Sequence, residues 1–505
     1  MNRLRGTPFN FGLALLTAAL LILTFPDFNF TFFAPFALTP LLIAVSREPR
    51  PWMRFLLGWT AGVVYWFGIC YWIQFVLEHF GGMGRWGGWG TFLLFCVLKA
   101  IHLGIFSLLA AIVLPHFYAI PAIAALWTGI ERTHSNAGFA WLALGNAGID
   151  MSLPLRLAPF LGVYGLSFVF AALGTALALI LLRRSRKELL WLTPLVLLVA
   201  FPAIPAYQPG DETAIAVQPN LNEDQEWTPV TAELMHEHLI SVSAQAAMQS
   251  PAPHLIVWPE APGPFYYDID KRFREQADTL ARETQSYFLF GTVAHTPKGQ
   301  PLNSAVMLRP DGSVIDRYDK MHLVPFGEFV PSLFSFVNRI TQEAGDFVPG
   351  TRRVVFPIDG HHVGAFICYE SAFPHEVRKF VAEGAEFLVN ISNDGYFGHS
   401  AAREQHLSLV RMRAVENRRW IVRGTNDGIT VSIDPGGRIV KRLPLYREEV
   451  GRMPYAYVEG RTVYTEMGDW FAWSCLALGI ALLFASQRPH YTAPARKSPP
   501  HRKQR

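Results

Sequence analysis

The sequence predicts a polytopic α-helical membrane domain of about eight spans joined to a water-exposed α/β domain. Three observations carry that reading. The 505 residues are 51% hydrophobic and 17% charged, against roughly a quarter charged in ordinary soluble domains. The charge is unevenly spread: residues 1–210 hold 13 Lys+Arg and 6 Asp+Glu, leaving 31 and 34 for residues 211–505. The hydrophobic texture changes at the same point, from runs of bilayer length to runs of strand length. This composition excludes a disordered chain, a collagen and a disulfide-stapled mini-protein. A net charge of +4 gives no footing for nucleic-acid binding.

A membrane helix needs roughly 20 mostly apolar residues, fewer where flanking side chains snorkel. Seven such segments precede the polar domain: Phe11–Phe25, Phe32–Val45, Phe55–Val76, Thr91–Leu114, Phe117–Ile130, Phe160–Leu182 and Leu189–Ala206. An eighth, Trp470–Ser486, follows it. Basic residues cluster at Arg3 and Arg5, at Arg47, Arg50 and Arg54, at Arg183–Lys187, and after Arg488. With an even span count all four clusters fall on one side, which the positive-inside rule makes cytoplasmic, together with both termini. The expected organisation is a seven-span membrane domain at 1–206, an extracytoplasmic catalytic domain at 207–469, a last span at 470–487 and a basic cytoplasmic tail at 488–505. Phe25-Pro26-Asp27 lacks the small residues of a signal-peptide cleavage site, so the first span is expected to remain. Lys99 and His102, inside the fourth span, fit a functional interior or a helix-paired structural role equally well.

From Asp211 onward short apolar runs alternate with amphipathic stretches. Ala214–Val217, Leu255–Trp258, Tyr287–Phe290, Ala305–Leu308, Val363–Ile367, Phe387–Ile391, Trp420–Arg423 and Thr430–Ile433 have strand length and composition. Thr231–Gln249, Lys271–Glu283, Pro374–Glu383 and Arg403–Asn417 show helical apolar spacing. Strands alternating with helices predict a layered α/β domain.

Three of the four cysteines, Cys70, Cys96 and Cys475, lie in predicted spans and need no further account. Cys368 stands alone in the polar domain, at the end of an apolar strand just before a helix. Ligands bind at such strand ends in α/β sheets, and an unpaired thiol in an oxidising compartment is either buried or used. Two other segments share this placement. Leu255-Ile256-Val257-Trp258 ends in Pro259-Glu260, and Tyr318-Asp319-Lys320 opens a loop that runs to Glu328. Alone, each reads as a solvated side chain; together they offer a nucleophile, a base and a cation. A thiol near pKa ~8.5 needs a neighbouring base or positive charge to attack, and its tetrahedral oxyanion needs fixed donors. The 16 histidines show no His-Glu-x-x-His pattern, and no Gly-rich phosphate loop precedes a helix, so no metal and no cofactor are expected.

The Trp258-Pro259-Glu260, Asp319-Lys320-Met321-His322-Leu323-Val324-Pro325-Phe326-Gly327-Glu328 and Cys368-Tyr369-Glu370 segments resemble the nitrilase superfamily. With the flanking spans, nearly the whole chain is similar to the apolipoprotein N-acyltransferase family. The resemblance implies an αββα nitrilase-like sandwich on the periplasmic side of a bacterial inner membrane, with Glu260, Lys320 and Cys368 as a catalytic triad. It implies a phospholipid acyl donor and a diacylglyceryl-cysteine lipoprotein acceptor, acylated at its N-terminal amine through a Cys368 thioester. Glu328 and Glu370 match carboxylates near the triad, and Tyr369 matches a pocket residue beside the nucleophile. Trp227, in Asn222-Glu223-Asp224-Gln225-Glu226-Trp227, matches a loop tryptophan near the acyl-chain entrance, a position that packing alone would also explain. Tyr396 stands where the family often has tryptophan. Arg403, His406, Arg411, Arg413 and Glu416 on the following helix read as structural ion pairs.

Fold and triad alone would serve equally for a membrane-bound amidase or a lipid hydrolase in which water resolves the thioester. The membrane context favours the transferase, because a small polar amide needs no bilayer. A transporter or scaffold with a degenerate domain would be free to lose the triad, which is present in order. The apolar stretch Pro331–Val337 is expected to act as a lid.

Overall fold

The computed structural model describes residues 6–136, 138–206, 209–249, 254–261, 263–325, 327–329 and 347–487. The Pro331–Val337 stretch and the basic tail at 488–505 lie outside them. The first part is a helical bundle: α1 (Gly6–Thr24), α2 (Thr39–Arg47), α3 (Pro51–Ile69), α4 (Trp72–His79), α5 (Gly84–Lys99), α6 (Ile101–Val113), α7 (Ala119–Arg132), α8 (Ala158–Leu161) and α9 (Val163–Leu181).

Fewer of these helices are of spanning length than the sequence suggests. Among the described residues, Gly6–Thr24, the 30-residue stretch Gly84–Val113 and Val163–Leu181 are long and apolar enough to cross a membrane; the pair α3 and α4, bent by 62°, makes up to four. Proline accounts for two of the differences. The expected span Phe32–Val45 yields a 3-10 turn at Thr31–Phe33 and the nine-residue α2, with Pro35 between them and Pro40 in the first turn of α2. Leu189–Ala206 winds as a 3-10 helix over Arg186–Ala200 around an internal Pro194, which has no N–H to donate.

The second part is a sandwich of two six-stranded sheets. Its elements are β1 (Glu212–Gln218), α10 (Pro229–Ala247), β2 (Leu255–Val257), α11 (Lys271–Thr284), β3 (Tyr287–His295), β4 (Pro301–Leu308), β5 (Val314–Asp319), β6 (Val355–Ile358), β7 (His361–Ile367), α12 (Pro374–Ala382), β8 (Phe387–Ser392), α13 (Ala402–Asn417), β9 (Ile421–Thr425), β10 (Val431–Ile433), β11 (Ile439–Arg442) and β12 (Glu449–Tyr455). The sheet orders are β12-β1-β2-β3-β4-β5 and β11-β10-β9-β8-β7-β6. In each, three parallel strands sit centrally (β1-β2-β3 and β7-β8-β9) between antiparallel outer strands.

Strand period sets the layers. Ala214, Ala216, Leu255, Val257 and Leu289 share one core with the second sheet. Their alternates Ile215, Val217, Ile256, Phe288 and Phe290 share another with Met235 and Leu239 of α10 and Phe273 and Leu280 of α11. Both faces are therefore apolar, as buried parallel strands require. Thr228 and Asp270 cap α10 and α11, accepting from Thr231 N and from Arg272 and Phe273 N.

After β12 the chain runs through α14 (Val463–Met467) into α15 (Trp470–Ser486), which returns to the bundle against α7. The two helix axes meet at glycines. A Cβ on Gly129 would lie 2.6 Å from Leu476 Cα, and one on Gly479 2.9 Å from Leu126 Cδ2. Such small residues let helices pack closely in an apolar phase.

Gln405 of α13 seats the sandwich on one end of the bundle. Its side-chain oxygen accepts from Trp72 Nε1 (3.3 Å) and Trp141 Nε1 (2.8 Å), and its amide nitrogen donates to Pro26 O and Ile69 O (3.0 Å each).

Gly129→Val should lower the melting temperature of the detergent-solubilised protein by about 5 °C through overpacking. Gly90→Ala, where a Cβ meets nothing within 4 Å, should leave it unchanged. Differential scanning fluorimetry of both variants checks the close approach of α7 and α15.

Candidate active site

Each residue of the expected triad sits at the C-terminal end of a strand. Glu260 follows β2, Lys320 follows β5 and Cys368 follows β7. The loop carrying Glu260 lies flat on β3 because position 291 has no side chain: a Cβ there would stand 2.5 Å from Pro259 O and Ala261 N. Gly291 N instead donates to Pro259 O at 3.1 Å.

Lys320 is 1% exposed, and its ammonium is held between two carboxylates. Nζ lies 2.9 Å from Glu260 Oε1 and 2.9 Å from Glu328 Oε2. Burial works against its charge, but Glu260, Glu328 and Cys368 together hold its pKa well above the ordinary lysine value. Asn303 of β4 donates to the same pair of carboxylates, at 2.7 Å to Glu260 Oε1 and 2.6 Å to Glu328 Oε1. The second oxygen of Glu260 accepts from Asn393 N at 2.9 Å, and that of Glu328 from Val324 N at 2.8 Å.

Cys368 is buried and has a left-handed backbone, φ +50°. That conformation is uncommon for a residue with a Cβ and clusters at functional sites. Burial first, then the charges of Glu260 and Asp394, push its thiol up, while Lys320 pulls it down. Cys368 is therefore held as a thiol, which would need a base in order to attack.

Glu370 ties the nucleophile's turn to the Lys320 loop. It accepts from Ile367 N (2.8 Å), Met321 N (2.8 Å), His322 N (3.3 Å) and Tyr318 Oη (2.7 Å). Tyr369 points the other way, into the bundle's 138–143 loop: its hydroxyl accepts from Ala140 N at 3.1 Å, and its ring packs beside Phe139 and Trp141. The structure thus brings Glu260, Lys320, Cys368, Glu328, Tyr369 and Glu370 together. Trp227 lies to one side, with Met235, over Gly263 of the loop that carries Glu260.

Sequence reasoning missed several partners. Asn303 lies in β4, two residues before the apolar run Ala305–Leu308 that the sequence marks as strand. Glu223, quoted only as a neighbour of Trp227, accepts from Asn393 Nδ2 (3.0 Å) and Asn426 Nδ2 (2.7 Å). Its carboxyl is pushed up to about 8, by burial first and then by Asp427 and Glu260, against the lowering effect of the two amides. His406, expected in a structural ion pair, is fully buried, pairs with Asp394 and also reaches the Cys368 carbonyl. No cluster of three or more His, Cys, Asp or Glu side chains among the described residues is arranged to hold a metal ion. Chemically, the site holds a neutral thiol beside a carboxylate and a fixed cation, which suits covalent acyl transfer.

Comparison with known proteins agrees in both halves. Residues 17–176 match the model of the apolipoprotein N-acyltransferase N-terminal domain, and residues 214–455 that of the carbon-nitrogen hydrolases. The chain is similar to the apolipoprotein N-acyltransferase of Geobacter metallireducens, 34% identical with 94% of each chain covered. It is similar also to that of Methylococcus capsulatus, 32% identical over 94% of this chain and 96% of the other. A solved amidase of the nitrilase superfamily from Nesterenkonia aligns over 49% of this chain and 92% of its own, at 19% identity and a TM-score of 0.39. The chain belongs to the apolipoprotein N-acyltransferase family, with a nitrilase-like α/β domain following its helical bundle.

Proposed function

We propose that this chain moves a fatty acyl group from a membrane phospholipid to the N-terminal amine of a diacylglyceryl-cysteine lipoprotein. The observation that carries the reading is the buried Glu260–Lys320 pair beside the strained Cys368 turn, in a chain whose remaining half is an apolar bundle. Glu260 takes the thiol proton as Cys368 Sγ attacks the ester carbonyl. Lys320 Nζ and the Tyr369 N–H stabilise the oxyanion. The lysophospholipid leaves with the proton from Glu260, and a thioester remains on Cys368. The lipoprotein ammonium first releases one proton to water; as the free amine attacks the thioester, Glu260 takes the proton that the nitrogen sheds and passes it to the departing Cys368 sulfur, leaving an amide and a free thiol. Glu328 fixes the position of Lys320, Glu370 and Tyr369 fix the turn, and Trp227 borders the acyl-chain entrance.

The bundle crosses a bacterial inner membrane eight times, its shorter segments included, with both termini cytoplasmic and 207–469 periplasmic. Contacts of the basic residues with neighbouring span ends support this arrangement. Arg50 donates to Thr7 Oγ1 and Arg184 to Pro115 O, which gathers the ends expected on the cytoplasmic side. Pro26 and Trp141, which meet Gln405, lie in loops expected on the other side.

Purified protein incubated with phospholipid alone should gain one acyl group on Cys368, seen by intact mass and peptide mapping and released by hydroxylamine. A diacylated lipopeptide should discharge it. Discharge by water alone would make the protein a lipid hydrolase, and no adduct, with the donor unconsumed when acceptor is present, would remove the enzymatic reading. Glu260→Gln should slow formation of this adduct by about 10²–10⁴, the usual value of a general base, measured as a single-turnover rate.

Glu223 gives a pH dependence. Its folded-state pKa is raised from 4.5 to about 8, so between those values the folded protein keeps a proton that the unfolded chain loses. Stability therefore falls as pH rises through that window. Glu223→Gln should remove this slope, gaining melting temperature on wild type at pH 9 but not at pH 4.

A further inference from the structure

The nucleophile's peptide is gripped from behind by a buried polar cluster with no place in the reaction described above. His406 of α13 and Asp394 after β8 are both fully buried, as is Arg423 of β9. His406 Nε2 lies 3.0 Å from the carbonyl oxygen of Cys368. A carbonyl can only accept, so Nε2 carries the proton. Nδ1, on the other side of the ring, lies 3.0 Å from Asp394 Oδ1 and 3.2 Å from Arg423 Nη2. Arg423 Nη2 donates to Asp394 at 2.8 and 2.7 Å, and Ser392 Oγ adds a bond at 2.9 Å. Trp141 and Phe397 flank the imidazole, each with its ring centroid 5.9 Å away. The ring is held from every direction.

The oxygen it holds belongs to the peptide that joins Cys368 to Tyr369. A trans peptide is planar, with its C=O and N–H pointing in opposite directions. Fixing where the Cys368 oxygen points therefore fixes where the Tyr369 N–H points. Accepting a hydrogen bond at the oxygen also polarises the amide and strengthens its N–H as a donor. The need for a clamp is local: the left-handed backbone at Cys368 costs about 1–2 kcal/mol and persists only when its surroundings enforce it.

We propose that His406 is a positioning residue for the oxyanion site, clamping the Cys368 carbonyl so that the Tyr369 N–H stays aimed at the developing negative charge. This rests on the acyl-transfer reading above and extends it to a residue that touches neither substrate. Asp394 and Arg423 hold the imidazole in register, and burial together with the nearby Arg423 charge lowers the His406 pKa. The neutral ring with Nε2 protonated and the imidazolium both present the same N–H to the carbonyl. The clamp therefore adds no titration to the pH profile.

Two reactions of Cys368 separate this role from general support of the fold. Alkylation by iodoacetamide forms no oxyanion, whereas acylation by phospholipid does. Full-length protein in detergent carrying His406→Leu should acylate about 10- to 100-fold more slowly, part of the 10²–10³ that an entire oxyanion donor is worth. Its alkylation rate should stay within about threefold of wild type. His406→Gln, whose amide N–H can reach the same carbonyl, should recover a large part of the acylation rate. Equal acylation in His406→Leu and wild type overturns the proposal. So does a parallel loss of alkylation and acylation in both variants, which marks a structural residue only. Failure of wild-type Cys368 to acquire any acyl group would instead remove the parent reading, and the two failures are distinct.

Discussion

A buried ammonium has to be matched by negative charge, and at Lys320 that requirement organises the catalytic end of the sandwich. An isolated charge in such a setting would cost several kcal/mol or shed its proton. Here two carboxylates meet it, and each must be placed by something else. Gly291 lets the Glu260 loop lie against β3, Asn303 bridges the two acids from β4, and backbone N–H groups of Asn393 and Val324 take the outer oxygens. Parts of β2, β3, β4 and β5 in one sheet and of β8 in the other are thereby fixed around one cation. Removing Lys320 would leave Glu260 and Glu328 as facing like charges, so these three side chains form one electrostatic unit and not three separable residues.

The same economy joins the two halves of the chain. Helical bundle and sandwich meet in part through buried polar groups. Gln405 spends its amide on four partners: Pro26 and Trp141 in bundle loops, Ile69 at the end of α3 and Trp72 at the start of α4. Glu416 accepts from Val163 N at the start of α9, and Tyr369 accepts from Ala140 N next to the nucleophile. Tyr369 follows Cys368 directly in sequence, so the orientation of the thiol is coupled to the bundle and not to the sandwich alone.

The layered domain was legible because its signals are local. Every expected strand and helix between Ala214 and Ile433 has a counterpart, since short apolar runs bounded by turns and amphipathic helices mark themselves. The strands that escaped, β5, β6, β11 and β12, are outer or edge strands with mixed faces, such as Glu449–Tyr455 with its alternating burial. The spans were less legible. Hydropathy reads apolar length but not helicity, and Pro35, Pro40 and Pro194 turn two apolar runs into short or 3-10 segments. At the site, Glu260, Lys320 and Cys368 stood out through their motifs, whereas Asn303, Glu223 and His406 act through contacts 12 to 203 residues away in sequence, which no spacing announces.

The proposed chemistry also explains why a nitrilase-like site would be built onto a bundle. Drawing an acyl chain out of a bilayer into water costs about 0.8 kcal/mol per methylene, so ten methylenes already demand roughly 8 kcal/mol. That is a large part of what an enzyme supplies to a reaction barrier. In the proposed reading, a thiol held at the membrane end of the sandwich removes this cost, because the chain stays in apolar surroundings while only the ester reaches Cys368. The price is a nucleophile buried deep enough to stay protonated. The buried Glu260–Lys320 pair answers that problem: a base already aligned by Lys320, Asn303 and Asn393 needs no reorganisation when the proton moves. Burial that suppresses the thiolate and preorganisation that replaces it are thus two consequences of the same placement.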